Sequence, residues 1–196
     1  MKSKRFAMLL SIGLLILSAA KAQQDETKPL TVTKNAPAAT APISNPVSST
    51  VKEQLTRYTK IMVAAAEAMP AEKYNFKPTP EMNTFGHLTM HIAQGNTFFC
   101  AKASGVTAPD AAKLADTDPK DKLVAGLKAS FDFCATALAN VDDSKLSDPL
   151  VLFGGRASSR AGALIGLSDS WSDHYGAQAM YLRLSGILPP TAQPKQ

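Results

Sequence analysis

His87, His91 and His174 are the three histidines of this 196-residue chain. Neutral imidazole is the commonest protein ligand for zinc and related divalent ions, and it can also accept a proton near neutral pH. His87 and His91 stand four apart in "FGHLTMHIAQGNTFFC", residues 85–100, so a helix places them next to each other on one face. His174 lies in "DSWSDHYG", residues 169–176. Three imidazoles around one divalent ion, with coordination positions left open, could activate water or a thiol. Two alone bind weakly. Each residue also has a plainer reading. His91 and His174 on inner helix faces would be core histidines bonded to a hydroxyl such as Ser170 or Tyr181, and His87 would sit at the rim. Asp169 and Asp173 add oxygen donors or simply face water, and Arg183 forms a structural ion pair near one bundle end. The chain carries no nucleophile motif, phosphate loop or paired carboxylates.

Four amphipathic helices would position these groups. Thr50 and Glu53 have capping-box spacing ahead of Val51, Leu55, Tyr58, Met62, Ala65 and Met69, and Pro70 ends that segment. A second helix spans about Thr84 to Ser104, with Phe85, Leu88, Ile92 and Phe99 inward. A third follows Asp118 as cap and Pro119 in the first turn, with Val124, Leu127, Phe131, Cys134, Leu138 and Val141 inward. The fourth runs from about Ser159 to Ser185, burying Leu164, Leu167, Trp171, Gln178 and Leu182 before Gly186 stops it. "LVLFGG", residues 150–155, is the nearest approach to a strand, and it is short. The expected fold class is all-α, a four-helix bundle.

Flanking segments bound the domain. "MKSKRF", an apolar run and "AKA" at 20–22 have the layout of a signal peptide cleaved before Gln23. Residues 23–49, rich in Pro, Ala, Ser and Thr, read as a disordered linker. The bundle is then residues 50–190, and 191–196 form a tail. Lys2, Lys4, Arg5 and Lys21 lie in the signal segment, so the remaining basic residues nearly balance the 16 acidic ones. Without a basic stripe, nucleic acid is excluded as a partner. An exported chain, periplasmic or secreted, would have no membrane attachment after cleavage.

Export also gives meaning to Cys100 and Cys134. An even cysteine count outside the cytosol suggests a disulfide; two buried free thiols are the other reading. Cys100 is 16 residues past Thr84 and Cys134 is 15 past Pro119. If the two helices were antiparallel with ends aligned, these positions would be roughly 15 Å apart along the axis, whereas a bridge needs Cα atoms within about 7 Å. A Cys100–Cys134 bond therefore predicts parallel central helices joined by a long crossover.

"MPAEKYNFKPTPEMNTFGHLTMHIAQGNTFFCAKASG", residues 69–105, and "SDHYGAQAMYLRLSGILPP", residues 172–190, resemble the DinB-like superfamily, the likeness covering about Val51 to Pro190. The resemblance implies a four-helix bundle of up-down-down-up order. It also implies one divalent metal, often zinc or nickel, held by three histidines: one on the second helix and two, four apart, on the last. Those positions fall on His91, Ser170 and His174. Serine at the middle one departs from the pattern, since an un-ionised hydroxyl is a poor ligand. His87 could supply the third nitrogen from one turn before His91, at the level of Gln178 if the second and last helices run antiparallel. Two functions follow: a metal-dependent hydrolase or transferase acting on an unknown small molecule, or a degenerate binding or scaffold module that has lost the metal and works through homodimerisation. Some relatives transfer low-molecular-weight thiols from cytosolic pools, and export argues against that version.

Overall fold

The computed structural model describes residues 41–109 and 113–194. The expected signal segment and most of the linker lie outside the described residues. The chain divides into two units after Pro42, and every described helix belongs to the second. Four long helices make up that unit: α1 (Pro46–Ala68), α2 (Phe85–Ser104), α3 (Lys120–Leu138) and α4 (Arg160–Leu184). None of the described helices is long and apolar enough to cross a membrane.

Helical periodicity placed the inward faces well. Met62, Phe85, Leu127, Leu164, Leu167 and Trp171 are fully buried, while Tyr58, Phe99 and Val141 pack only partly against the core. The residue pairs between helices give their relative directions. The Cys100–Cys134 disulfide, with Cα atoms 5.3 Å apart, and the Asn96–Ser130 hydrogen bond run in increasing order along both α2 and α3. Gln54–Ser168 and Met62–Gln178 do the same for α1 and α4. Asn96–Trp171 and Ala103–Arg160 run in opposite order across α2 and α4. The two-free-thiol reading falls, because neither cysteine is free.

Three boundaries differ from expectation. α1 starts at Pro46, so residues 46–49 are helical rather than linker, and Thr50 lies inside the helix with its hydroxyl donating to Pro46 O. Its N-terminus is satisfied from a distance: the N–H groups of Val47 and Ser48 each donate to the Asp143 carboxylate at 2.9 Å. Asp118 is not the cap of α3. It accepts from Ala115 N–H at 2.8 Å and pairs with Lys122, closing the turn before the helix. Residues expected to be irregular form a small hairpin, β1 (Pro149–Val151) paired antiparallel with β2 (Ala157–Ser159). Gly154 and Gly155 make its turn with φ of 67° and 77°, a conformation that glycine adopts without steric cost.

The Asp143 cap has a pH consequence. Burial pushes the carboxyl up, but the hydrogen bonds from Ser48 and Val47 and the charge of Lys52 outweigh it, so its pKa lies below the ordinary carboxylate value. A depressed acid contributes stability above its unfolded pKa and loses it as pH falls through the folded one. Asp143→Ala should therefore lower stability at pH 7 more than at pH 3, measured by urea unfolding at both. Equal losses at the two pH values would mean that the charge of the cap does not matter.

Candidate functional site

Thr84 fixes where α2 begins. Its hydroxyl accepts from His87 N–H at 2.9 Å, an N-cap that sets His87 in the first turn and His91 one turn further along the same face. Gly86 lets the returning α2–α3 crossover pass close by, since a Cβ there would stand 2.7 Å from Asp116 O, while its N–H donates to Tyr74 O in the α1–α2 connection at 2.8 Å. That approach brings the Asp116 carboxylate to 3.5 Å from His87 Nδ1.

α4 faces this stretch of α2 in the opposite direction and brings His174 to His91. Their ring centroids are 5.0 Å apart at 63°. His87 and His91 lie 6.2 Å apart with rings nearly parallel. All three line a cleft of about 390 Å³, together with Asn83, Leu88 and Tyr181. His174 is tied by its own helix: Nδ1 is 2.6 Å from Ser170 O and 3.1 Å from Ser170 Oγ. With the Nδ1 proton on the carbonyl, the lone pair is left on Nε2. Partial burial, then the neighbouring His174 and His87, hold the pKa of His91 below the ordinary imidazole value, favouring the neutral form that can bind a metal.

Several expectations need correction. His91 is exposed rather than a core histidine, although His174 does bond to Ser170 as the plainer reading held. Gln178 does not enter the cleft beside His87. It is fully buried and donates to Met62 O at 3.3 Å, facing α1, and Ala177 and Tyr181 line the cleft from α4 instead. Asp169 and Asp173 are exposed. Arg183 is exposed too and makes no ion pair among the described residues. Sequence reasoning missed Asp116, which arrives from the crossover, and Asn96, a buried residue that lies in register with Phe85, Leu88 and Ile92.

The arrangement fits a divalent ion in part. Two imidazoles on one tetrahedral ion, with bonds of about 2.1 Å, stand about 5 Å apart between ring centres, as His91 and His174 do. No three His, Cys, Asp or Glu side chains converge on a single ion among the described residues. Ser170, at the position where the resemblance implies a histidine, orients His174 instead. Gly95 lies opposite it, and a Cβ built there would stand 3.9 Å from Ser170 Oγ.

Solved structures share the fold. A DinB-like protein from Bacillus subtilis is 19% identical, with a TM-score of 0.59 over 74% of this chain and 99% of that one. A DinB-like protein from Bacillus cereus is 17% identical, with a TM-score of 0.59 over 72% and 95%. A mycothiol-dependent maleylpyruvate isomerase is 15% identical, with a TM-score of 0.53 over 66% of this chain and 59% of its own. No curated protein matches. The sequence model of the DinB superfamily matches residues 54–168, from the third turn of α1 into α4. That span is more than half of the chain and includes His87 and His91, and by it the chain belongs to the DinB superfamily.

Proposed function

We propose that this chain is an exported DinB-like domain whose α2–α4 cleft takes a small molecule, with His91 and His174 as a seat for one divalent ion, zinc or nickel. The observation that carries the reading is the approach of the two rings to 5.0 Å, with His174 already oriented by Ser170. The bundle order is up-down-down-up, a reading supported by the opposing and matching directions of the helix pairs. Export is supported by the disulfide, since such bonds persist in oxidising compartments, and by the charged, apolar and small-residue pattern of residues 1–22.

A divalent ion in such a seat supplies Lewis acidity and lowers the pKa of bound water. The chain's own contribution is to hold the neutral imidazoles and to shape the cleft, with Leu88 as an apolar wall and Asn83 and Tyr181 as its polar end. Hydrolase or transferase chemistry on a small molecule is the enzymatic form of this proposal. The serine at position 170 favours the second form, a binding module in which the ion is weakly held.

Metal analysis of untagged protein incubated with Zn²⁺ or Ni²⁺ tests the seat. The expected result is close to one equivalent at saturation, a rise in melting temperature from ligand linkage, and loss of both in His91→Ala and His174→Ala. Less than about a tenth of an equivalent without a thermal shift would remove the ion and leave only the binding module.

A further inference from the structure

We infer that the hairpin turn and the second half of α2 form an aromatic platform for the flat aryl group of an acidic small molecule, with Phe153 and Phe98 as the stacking surface and Lys102 as the counter-charge. The inference adds a second subsite to the small-molecule reading of the α2–α4 cleft. It rests on that reading only for where the rest of the ligand lies, and it needs no ion.

Phe153 is 58% exposed and is the only exposed Phe, Tyr or Trp among the described residues. Val151, two residues earlier, is 51% exposed. The Phe153 ring lies on that of Phe98, with centroids 3.6 Å apart and planes inclined by 19°, and meets Phe99 edge-on at 5.6 Å. Phe99 in turn is held against α4, where a Cβ on Gly166 would stand 3.1 Å from its ring. The hairpin thus lays one ring over two that the bundle holds, and the outer face of that ring is left to solvent. A flat group covering it gains both the buried apolar area and a stacked geometry.

Charge and position narrow the ligand. Lys102 Nζ lies 5.7 Å from the centre of the Phe98 ring and pairs with no carboxylate among the described residues. An acidic group beside a bound aryl ring would meet it. Phe98 and Lys102 come 11 residues after His87 and His91 respectively, about three helical turns, so the four share one stripe of α2. Phe98 stands about 10 Å along the axis from His91. Between them Gly95 faces Ser170 on α4, where a Cβ would stand 3.9 Å from Ser170 Oγ, and these small residues keep the groove low. The platform is small for a protein partner, since a stable interface takes about 20–30 residues a side.

Fluorescence titration with anilinonaphthalene sulfonate, an acidic aryl probe, and with phenylnaphthylamine, a neutral one, tests this in wild type, Phe153→Ser, Lys102→Gln and His91→Ala. Near-ultraviolet circular dichroism of Trp171 reports whether each variant is folded. The expected result is saturable binding by the wild type, with affinity for both probes lower by about 10-fold in Phe153→Ser. Lys102→Gln should lose about 3-fold for the acidic probe alone. His91→Ala should bind both probes as the wild type does, and Phe153→Ser should take up Zn²⁺ as the wild type does. Absence of zinc uptake with probe binding intact would therefore remove the ion seat and leave the platform standing. Equal probe affinity in wild type and Phe153→Ser would overturn the platform, and equal effects of Lys102→Gln on the two probes would overturn the acidic class. Sedimentation showing a dimer that Phe153→Ser dissociates would also overturn it, giving the patch to a second copy of this chain.

Discussion

Replacing both Cys100 and Cys134 with alanine should destabilise the bundle by about 4 kcal/mol. Bridging residues 34 apart removes loop-closure entropy from the unfolded chain, worth about 3.8 kcal/mol at 25 °C. Both cysteines are fully buried, so the lost sulfur contacts add to the effect. For a domain of this length the melting temperature should fall by roughly 10 °C or more. The bond ties α2, which carries two of the histidines, to α3 at the end of the bundle away from the cleft. Loss of stability without loss of ion binding in the folded variant is therefore expected. A double variant melting within about 2 °C of wild type would show that the bridge constrains little.

The second large effect belongs to Asn96. Its Oδ1 accepts from Trp171 Nε1 at 2.7 Å and its Nδ2 donates to Ser130 Oγ at 3.0 Å. The serine in turn donates to Leu127 O at 2.7 Å. One buried amide thus joins α2, α3 and α4. Asn96→Leu keeps much of the volume but leaves the indole N–H without its acceptor, and an unsatisfied buried donor costs about 1–3 kcal/mol. Asn96→Ala adds a cavity and should cost about 4 kcal/mol in all. Because Trp171 lies one turn before His174, the same bond sets the register of α2 against α4, so zinc affinity should fall in both variants. Denaturant unfolding and zinc titration measured on the same samples check the two parts. Unchanged affinity in a folded Asn96→Leu would separate this network from the site.

The architecture was legible because four helical stripes and two cysteines constrain one another. Apolar spacing alone identified Met62, Leu127, Leu164 and Trp171 as core residues, and the cysteine positions fitted only parallel central helices. What could not be read was what depends on distant chain. The N-terminus of α1 is capped by Asp143, 96 and 95 residues beyond Val47 and Ser48, so the local Thr50 signal misplaced the start. The hairpin strands have three residues each, too few to show a period.

The site divides in the same way. Helical spacing brought His87 next to His91, and the antiparallel relation of α2 and α4 brought in His174. Gln178 was misplaced because, four residues past His174, it still points toward α1, where Met62 O accepts its amide. Asp116 gives no sequence signal of its own, since only the close pass at Gly86 carries it to His87.

Anomalous diffraction at the zinc edge, from crystals soaked in Zn²⁺, tests the central claim most directly. The account predicts one strong peak in the α2–α4 cleft, about 2.1 Å from a ring nitrogen of His91 and of His174. A peak bound to only one of those rings, or zinc found only elsewhere on the molecule, would contradict it.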